Sequence, residues 1–258
     1  MDLVRGLYIT TMGMLLDEAT LNNLANNLAN VDTAGYKGDR LAFRTYLERE
    51  IYRREPHPER SKVALRRIGR LEMATVLDEV RMDMSCGKIE ETGSPYDLAI
   101  KEDGFFAVTD GENIYFTRNG NFYRDAQGRL VTSEGYRLLD TQGKTVVVGL
   151  DDYIALDGSI RGPGGELRSV IGVYQFENPV GLRKVGYTMF ATTDESGEPA
   201  LIENPSLMVG FLERSNVEPL KEMVKMIEAQ RHFEISQRVI TTTDALLDQV
   251  VNQVGRLR

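Results

Sequence analysis

The sequence predicts an α+β protein, in which a mainly antiparallel β domain is flanked by long N- and C-terminal helices that pair as a coiled coil. Large apolar residues recur every seven positions near both ends. Such spacing makes a narrow stripe on a helix, and that stripe is stable only against another helix. The middle is glycine-rich and strand-like. Since neither end has a helical neighbour in the sequence, we expect each helix to pack against the other and against copies from other subunits.

The first helix is predicted over residues 3–31. Its main apolar row is Leu7, Met14, Leu21 and Leu28, and its second row is Thr10, Asp17, Leu24 and Val31. Five asparagines lie between positions 21 and 30. Asparagine is a mediocre helix former, so this helix should depend on packing for its order. Gly35 ends the periodic segment, after the turn-forming Asp32 and Thr33.

A basic connecting segment follows and is predicted to be extended or mixed in structure. Residues 37–70 hold 11 Lys/Arg against 5 Asp/Glu, which gives this segment a charge of +6. Because the whole chain has a net charge of −8, the rest of the chain carries −14. Opposite charges of this kind suit contacts between subunits. A merely solvated charge run and a nucleic-acid contact are the alternatives. Pro56 and Pro58, on either side of His57, interrupt the segment.

The β domain is predicted between about Ala74 and Gly210. Asp110-Gly111 and Asn119-Gly120 are dipeptides typical of β-hairpins, and residues 162–165 form a glycine-rich loop. Closely spaced turn signals of this kind indicate an antiparallel domain. The candidate strands are Asp97–Ile100, Phe105–Val108, Ile114–Thr117, Leu130–Thr132 and Ile171–Phe176.

The last helix is predicted from about Val217. Its main row is Met226, Phe233, Ile240, Leu247 and Val254, and its second row is Ala229, Ser236, Thr243 and Val250. Small residues opposite large ones let a neighbouring helix approach closely. A helix of about 40 residues is roughly 60 Å long, so we expect it to project from a domain of this size.

Few residues suggest chemistry. The two histidines, His57 and His232, have no ligand set at metal spacing, and Cys86 stands alone, so no internal disulfide is expected. No phosphate-binding loop, dinucleotide fingerprint or nucleophile elbow is present. We therefore expect no enzyme activity, no cofactor and no metal. The sequence also shows neither a secretory signal nor an apolar run long enough to cross a bilayer.

Four blocks in order resemble bacterial flagellar rod and hook proteins. Residues 26–37 read NNLANVDTAGYK and resemble the family's N-L-A-N-x-x-T-x-G-[YF]-K signature; residues 92–106 and 117–136 are similar to its T-G-N-P-x-D-L-A-I and T-R-x-G-x-F segments. Residues 215–231 are similar to its S-N-V…A-Q-R closing helix. Asp32 and Ser94-Pro95-Tyr96 depart from the commoner residues, and residues 37–70 have no match.

The resemblance implies a structural subunit of the flagellar basal-body rod, proximal or distal. In that family, subunits stack helically into a hollow rod that transmits torque, and they cross the inner membrane through the flagellar type III export apparatus without a cleaved signal. The expected partners are copies of the chain, other rod and hook proteins and the export apparatus, with no nucleic acid and no membrane insertion. A β-rich exported surface or binding protein with helical oligomerisation ends is the alternative.

The resulting domain prediction places residues 1–35 and 215–258 in a helical axial core. Residues 36–73 form the basic connecting segment and residues 74–214 the β-rich domain. The residues predicted to pack between subunits are Leu7, Met14, Leu21, Leu24, Leu28, Met226, Phe233, Ile240, Leu247 and Val254. The residues that carry the family motifs are Asn27, Leu28, Ala29, Asn30, Thr33, Gly35, Tyr36, Lys37, Gly104, Phe105 and Phe106.

Overall fold

The computed structural model describes the backbone of residues 2–55 and 64–255, and the side chains of residues 6–44 and 78–252. The chain divides into two compact units. The first contains Met1–Asn26, Asp39–Arg81 and Leu220–Arg258, and the second contains Asn27–Gly38 and Met82–Pro219. The first unit is therefore assembled from three stretches of the chain that are separate in sequence.

Two long helices belong largely to the first unit. Helix α1 spans Asp2–Ala29 and helix α2 spans Pro219–Gly255, which confirms the two predicted terminal helices to within a few residues. Helix α2 has proline at its first position, where the missing N–H is not needed by the helix. Its 37 residues make it about 55 Å long.

The less exposed side chains of α2 form a single row with alternating spacings of four and three residues. Its members are Glu222, Met226, Ala229, Phe233, Ser236, Ile240, Thr243 and Leu247. Val250, the last member of the predicted second row, is instead exposed. The side chain of Val254 lies outside the described residues. The predicted main row thus lies on the protected face of α2.

Helix α1 is protected over a broader face. Leu24 is buried, and Leu7, Met14, Leu21 and Leu28 are half-buried. Burial raises the pKa of the Asp17 carboxyl, and the charge of His232 acts in the opposite direction. Asp17 of α1 and His232 of α2 are therefore near neighbours within the first unit.

A two-stranded sheet occupies most of the segment that was predicted to be a basic connection. Strand β1 spans Asp39–Glu55 and strand β2 spans Ala64–Met82. Thr45, Tyr46, Ile51 and Tyr52 supply the β-branched and aromatic residues that favour strands. The predicted break around His57 lies outside the described residues.

The second unit is built from short strands. They are β3 (Ile89–Glu91), β4 (Leu98–Ile100), β5 (Phe105–Thr109), β6 (Ile114–Thr117), β7 (Tyr123–Arg124), β8 (Leu130–Val131), β9 (Arg137–Leu138), β10 (Tyr153–Ile154), β11 (Ser159–Arg161), β12 (Leu167–Val170), β13 (Val173–Gln175), β14 (Arg183–Val185), β15 (Met189–Ala191), β16 (Ala200–Leu201), β17 (Leu207–Val209) and β18 (Phe211–Glu213).

Nine of these strands form one sheet in the order β14-β15-β6-β5-β9-β8-β7, with β13 attached to β5 and β16 attached to β13. Smaller sheets have the orders β10-β11-β12, β17-β4 and β18-β3. The register of each described pair in this unit is antiparallel.

The predicted strands of the β domain are confirmed, since each contains or overlaps one of β4, β5, β6, β8 and β13. Asp110-Gly111 closes the β5–β6 hairpin, as predicted. The hairpin predicted at Asn119-Gly120 is wrong, because β6 pairs with β5 and β15 and not with β7. Gly120 instead accepts a hydrogen bond from Leu98 N, at 3.0 Å.

Strand β5 lies at the centre of the core. Its alternate residues face opposite sides, so Phe106 and Val108 pack in one apolar cluster and Phe105 and Ala107 pack in a second. The ring of Phe105 meets those of Phe176 and Phe190 edge to face, with centroids 5.7 and 5.6 Å apart. Both faces of β5 are therefore covered, as expected for a central strand.

Candidate functional site

The candidate site is the buried junction at which residues 27–38 meet the β strands of the second unit. The chain leaves α1 through short turns, in which Asn30 N donates to Asn27 O and Thr33 N donates to Asn30 O. Gly35 then has a φ of +67°, and its N–H donates to Glu213 O at 2.8 Å. A Cβ atom on residue 35 would overlap the backbone of Asn119. Only glycine fits there, for both conformational and steric reasons.

Tyr36 anchors the last turn of α1. Its ring is fully buried, and its hydroxyl donates to Asn27 Oδ1 at 3.1 Å. The Lys184 ammonium of β14 lies 4.1 Å from the ring centroid, which is a cation–π contact, and Lys184 Nζ also donates to Lys37 O at 2.8 Å. The motif tyrosine therefore joins the end of the helix to the edge of the nine-stranded sheet.

Lys37 forms a buried ion pair with Glu213. Its Nζ atom lies 2.6 Å from Glu213 Oε1, and the two side chains are 1% and 2% exposed. Lys37 Nζ also donates to Ser85 O at 2.8 Å, while Glu213 Oε1 accepts a further hydrogen bond from Gly87 N at 2.9 Å. A buried ion pair of this kind needs such additional hydrogen bonds to offset the desolvation of its charges.

Asn216 completes the junction from the segment before α2. Its Oδ1 atom accepts a hydrogen bond from Gly38 N at 2.9 Å, and its Nδ2 atom donates to Asp83 O at 2.7 Å. The backbone N–H of Asn216 also donates to Tyr36 O at 3.4 Å. A single amide side chain thus links three stretches of the chain that are far apart in sequence.

The other two sequence blocks reach the same region. Arg118 Nη1 lies 3.6 Å from Glu213 Oε2, and the guanidinium lies over the ring of Phe105 at 5.4 Å. A Cβ atom on Gly120 would overlap Leu98 O. Thr92 Oγ1 donates to Asp97 Oδ2 at 2.6 Å. All four blocks that were read separately from the sequence therefore contribute to one connected set of contacts.

The structure places the predicted motif residues unevenly. Asn27, Asn30, Gly35, Tyr36 and Lys37 are buried in the junction, Leu28 and Thr33 are half-buried, and Ala29 is exposed. Phe105 and Phe106 belong to the core. Gly104 is buried where a Cβ atom would come within 2.9 Å of Val173 Cγ1, so the missing side chain allows close packing there.

The sequence analysis does not single out Glu213, the acidic member of the buried ion pair. It is a carboxylate at the end of an otherwise apolar strand, two residues before the recognised Ser215-Asn216-Val217 block. A charged residue in that position was a usable signal. Its partner lies 176 positions away, however, and nothing in the local sequence indicates the pairing.

Within the described part of the chain, no group of three or more His, Cys, Asp or Glu side chains could hold a metal ion. Cys86 and His232 are exposed. None of the described helices is long and apolar enough to span a bilayer.

Apolar side chains also remain exposed on the terminal helices. On α2, Ile235, Val239 and Leu246 are exposed and lie along a face distinct from the protected row. On α1, Tyr8 and Leu15 are exposed one heptad apart. Within one copy of the chain these apolar side chains are left exposed.

Comparison with protein-family models finds three matches in chain order. Residues 7–37 match the flagella basal body rod protein model. Residues 99–162 match the D1 domain of the flagellar hook proteins FlgE/F/G, and residues 208–254 match the C-terminal model of the flagellar basal body rod FlgEFG proteins. These matches include Tyr36, Lys37, Arg118 and Glu213 of the buried junction.

Whole-chain relatives carry corresponding names. The chain is 32% identical to the flagellar basal-body rod protein FlgG of Bacillus subtilis, over 97% of this chain and 99% of that one. It is 32% identical to FlgG of Agrobacterium fabrum, over 94% and 97%. It is 29% identical to the flagellar basal-body rod protein FlgF of Caulobacter vibrioides, over 97% and 98%. The chain therefore belongs to the flagellar basal-body rod protein family, whose members are structural proteins of the flagellar basal body and not enzymes.

Proposed function

We propose that this chain is a structural subunit of the basal-body rod, which assembles with copies of itself into a helical hollow axial structure and transmits torque. In this proposal α1 and α2 pair as a coiled coil in an axial core of residues 1–35 and 215–258. Residues 74–214 form an outer β-rich domain, joined through the basic segment 36–73.

The coiled-coil pairing is supported by the protected row of α2. Met226, Phe233, Ile240 and Leu247 are half-buried, with small residues between them at alternating spacings of three and four. This is the spacing of the a and d positions of a heptad. The proximity of Asp17 to His232 supports α1 as the partner of this row.

Self-assembly is supported by what the pairing leaves uncovered. Ile235, Val239, Thr242 and Leu246 are exposed and are spaced four, three and four residues apart, which is a second heptad stripe on the same helix. One partner helix cannot cover both stripes. A second stripe that binds a different surface of the next copy gives a head-to-tail contact, and such contacts build open helical polymers.

Torque transmission is assigned to the buried junction. Helix α1 is continuous from Asp2 to Ala29, and its last turn is held by Tyr36 and by the Lys37–Glu213 ion pair. Breaking a buried pair costs about 3–5 kcal/mol. A load carried along the helix therefore reaches the β strands through groups that are costly to separate.

Further expected partners are other rod and hook proteins and the flagellar export apparatus. Export through a narrow channel requires a chain that is unfolded or nearly so. The asparagine-rich end of α1 suits that requirement, because a helix of low intrinsic propensity orders only when it packs.

The proposal is tested by introducing charge on the second stripe. Ile235→Asp should leave the circular dichroism and melting of the monomer unchanged, but should abolish polymerisation in sedimentation and electron microscopy. The matched control is Gln237→Asp, which adds the same charge at another exposed position of the same helix. Ile240→Asp, in the protected row, should also lower the helical signal.

Two results would contradict the proposal. The first is normal polymerisation and motility with Ile235→Asp. The second is oligomerisation that persists after both terminal helices are deleted, which would favour an exported β-rich binding protein.

A further inference from the structure

Helix α1 carries a row of exposed side chains at alternating spacings of three and four residues, which is the spacing of the a and d positions of a heptad. Its large members, Tyr8 and Leu15, are 58% and 54% exposed. Glu18 is the only charged member of this exposed row. The members are Tyr8, Thr11, Leu15, Glu18, Asn22 and Ala25.

The second stripe of α2 has a matching form. An open groove of about 300 Å³ lies along it, and Arg238 is the only charged residue of that groove. Among the described residues, neither the Arg238 guanidinium nor the Glu18 carboxylate takes part in an ion pair, although Glu234 lies one turn before Arg238. The groove is lined by Ile235, Arg238, Val239, Thr242 and Thr243.

Two helical surfaces of a second copy could cover the second stripe, because α1 and α2 are the only helices longer than one turn in the described part of the chain. If the stripe packed against the same stripe of a second copy, the contact would be isologous and would close as a dimer. If it packed against the exposed row of α1, the contact would be head-to-tail, with one surface left free at each end. Only the second contact continues into a polymer.

The direction of the chain also suits the second contact. Helix α1 ends at the junction and α2 begins just after it, and Asp17 and His232 are near neighbours at similar distances from those two ends. The helices therefore run antiparallel within one copy. Copies stacked in one direction then bring α1 of one copy antiparallel to α2 of the next.

Charge selects the same direction. In an antiparallel register, Leu15 lies opposite Val239, and the residues one heptad away on each helix are again both large and apolar. Glu18 then lies within about 3 Å of Arg238 along the helix axis. In the parallel register that sets Leu15 opposite Leu246, Glu18 lies beside Gln249, where there is no positive charge.

We infer that the second stripe of α2 in one copy packs antiparallel against the exposed row of α1 in a second copy, with Glu18 beside Arg238. The two charges lie at the rim of this contact, so they fix its register more than its strength. This inference names the surface that the second stripe binds, and so it rests on the proposed rod assembly.

The contact is tested by disulfide cross-linking of full-length chains in which Cys86 is replaced by serine. One chain carries Leu15→Cys and the other carries Val239→Cys. After the two are mixed, polymerised and mildly oxidised, we expect a linked dimer that neither chain forms alone, since a disulfide needs Cα atoms about 4.4–6.8 Å apart. Gln237→Cys, at an exposed position on another face of α2, is the matched control and should not link to Leu15→Cys.

A charge exchange tests the register independently. Glu18→Arg and Arg238→Glu should each raise the critical concentration for polymerisation on the order of fivefold, because each replaces an attraction with a repulsion. The double variant restores opposite charges and leaves the net charge of the chain unchanged. Its critical concentration should return to within about twofold of the wild-type value.

Three results would overturn the inference while the rod assembly stands. They are polymers without the mixed Leu15–Val239 dimer, Val239→Cys chains that link to one another, and a double charge variant that polymerises no better than the single variants. Sedimentation of the wild-type chain is measured first. A chain that stays monomeric at every concentration refutes the proposed function itself, and this contact with it.

Discussion

Replacing Lys37 with methionine tests the buried junction most directly. Methionine preserves the length and apolar volume of the lysine stem but leaves the Glu213 carboxylate without its partner at 2.6 Å. Removing one member of a buried ion pair typically costs about 3–5 kcal/mol. Glu213 would keep the Gly87 N–H at 2.9 Å and the Arg118 guanidinium at 3.6 Å. We therefore expect the lower end of that range, about 3 kcal/mol.

The assay is urea unfolding of the β-rich unit, followed by tyrosine fluorescence. With a denaturant slope of about 2 kcal/mol per molar, the expected loss moves the midpoint down by about 1.5 M. Lys101→Met is the matched control, because Lys101 is an exposed lysine of the same unit; it should change stability by less than about 0.5 kcal/mol.

A second variant isolates the charge pairing. Combining Lys37→Met with Glu213→Leu removes both charges, and replacing a buried pair with apolar residues is often neutral. Because Glu213→Leu also removes the carboxylate 3.6 Å from the buried Arg118 guanidinium, the double variant should recover only part of the stability lost in Lys37→Met. A loss below about 1 kcal/mol for Lys37→Met would refute the reasoning, since it would mean that Glu213 is not held by this pair.

Three further predictions concern separate parts of the chain. Burial raises the pKa of Asp17, which means that the ionised carboxylate is disfavoured in the folded state. Asp17→Asn should therefore raise the melting temperature of the helical signal at pH 7 by about 1–2 °C. The control Glu18→Gln, at an exposed position of the same helix, should not raise it. Gly120→Ala should destabilise the β-rich unit by about 3 kcal/mol in urea unfolding, because the new Cβ atom would overlap the carbonyl oxygen of Leu98 in β4. The control Gly164→Ala should be tolerated, because its Cβ atom would meet only the flexible side chain of Glu166. The hydroxyl and N–H of Ser159 donate hydrogen bonds to Asp157 and hold the pKa of that carboxyl below its usual range. The ionised Asp157 therefore stabilises the fold fully above the unfolded pKa of about 3.9, and this stabilisation is lost as the pH falls through the lower pKa of the folded state. Asp157→Asn should reduce that loss in acid titrations of the melting temperature.

Local patterns predicted the local structure well. The strand at Ile114–Thr117 was placed at its observed bounds, and Asp110-Gly111 closes the hairpin that its sequence indicates. Turn chemistry and a period of two are properties of neighbouring residues, so they can be read directly. Asn119-Gly120 shows where prediction from neighbouring residues fails. The same type of dipeptide serves close backbone packing there, because Leu98 from a distant strand occupies the space beside Gly120.

The long strands β1 and β2 were predicted only as a basic, extended or mixed segment. Arginine and glutamate are so frequent there that the charge pattern obscured the β-branched and aromatic residues between them. Strand preference depends strongly on the neighbouring strand. Here β1 and β2 pair with each other, and the sequence of neither strand alone indicates that pairing.

The sequence by itself determined the two terminal helices, the antiparallel β middle and the family, and it correctly predicted a structural protein of the flagellar basal body. Helical periodicity and short motifs are local, and family blocks survive as strings of residues. Only the tertiary structure decided that Lys37 meets Glu213 across 176 positions, and that Arg118 lies beside them. Such pairings depend on which distant strands the fold brings together, and burial, not sequence spacing, makes their charges matter.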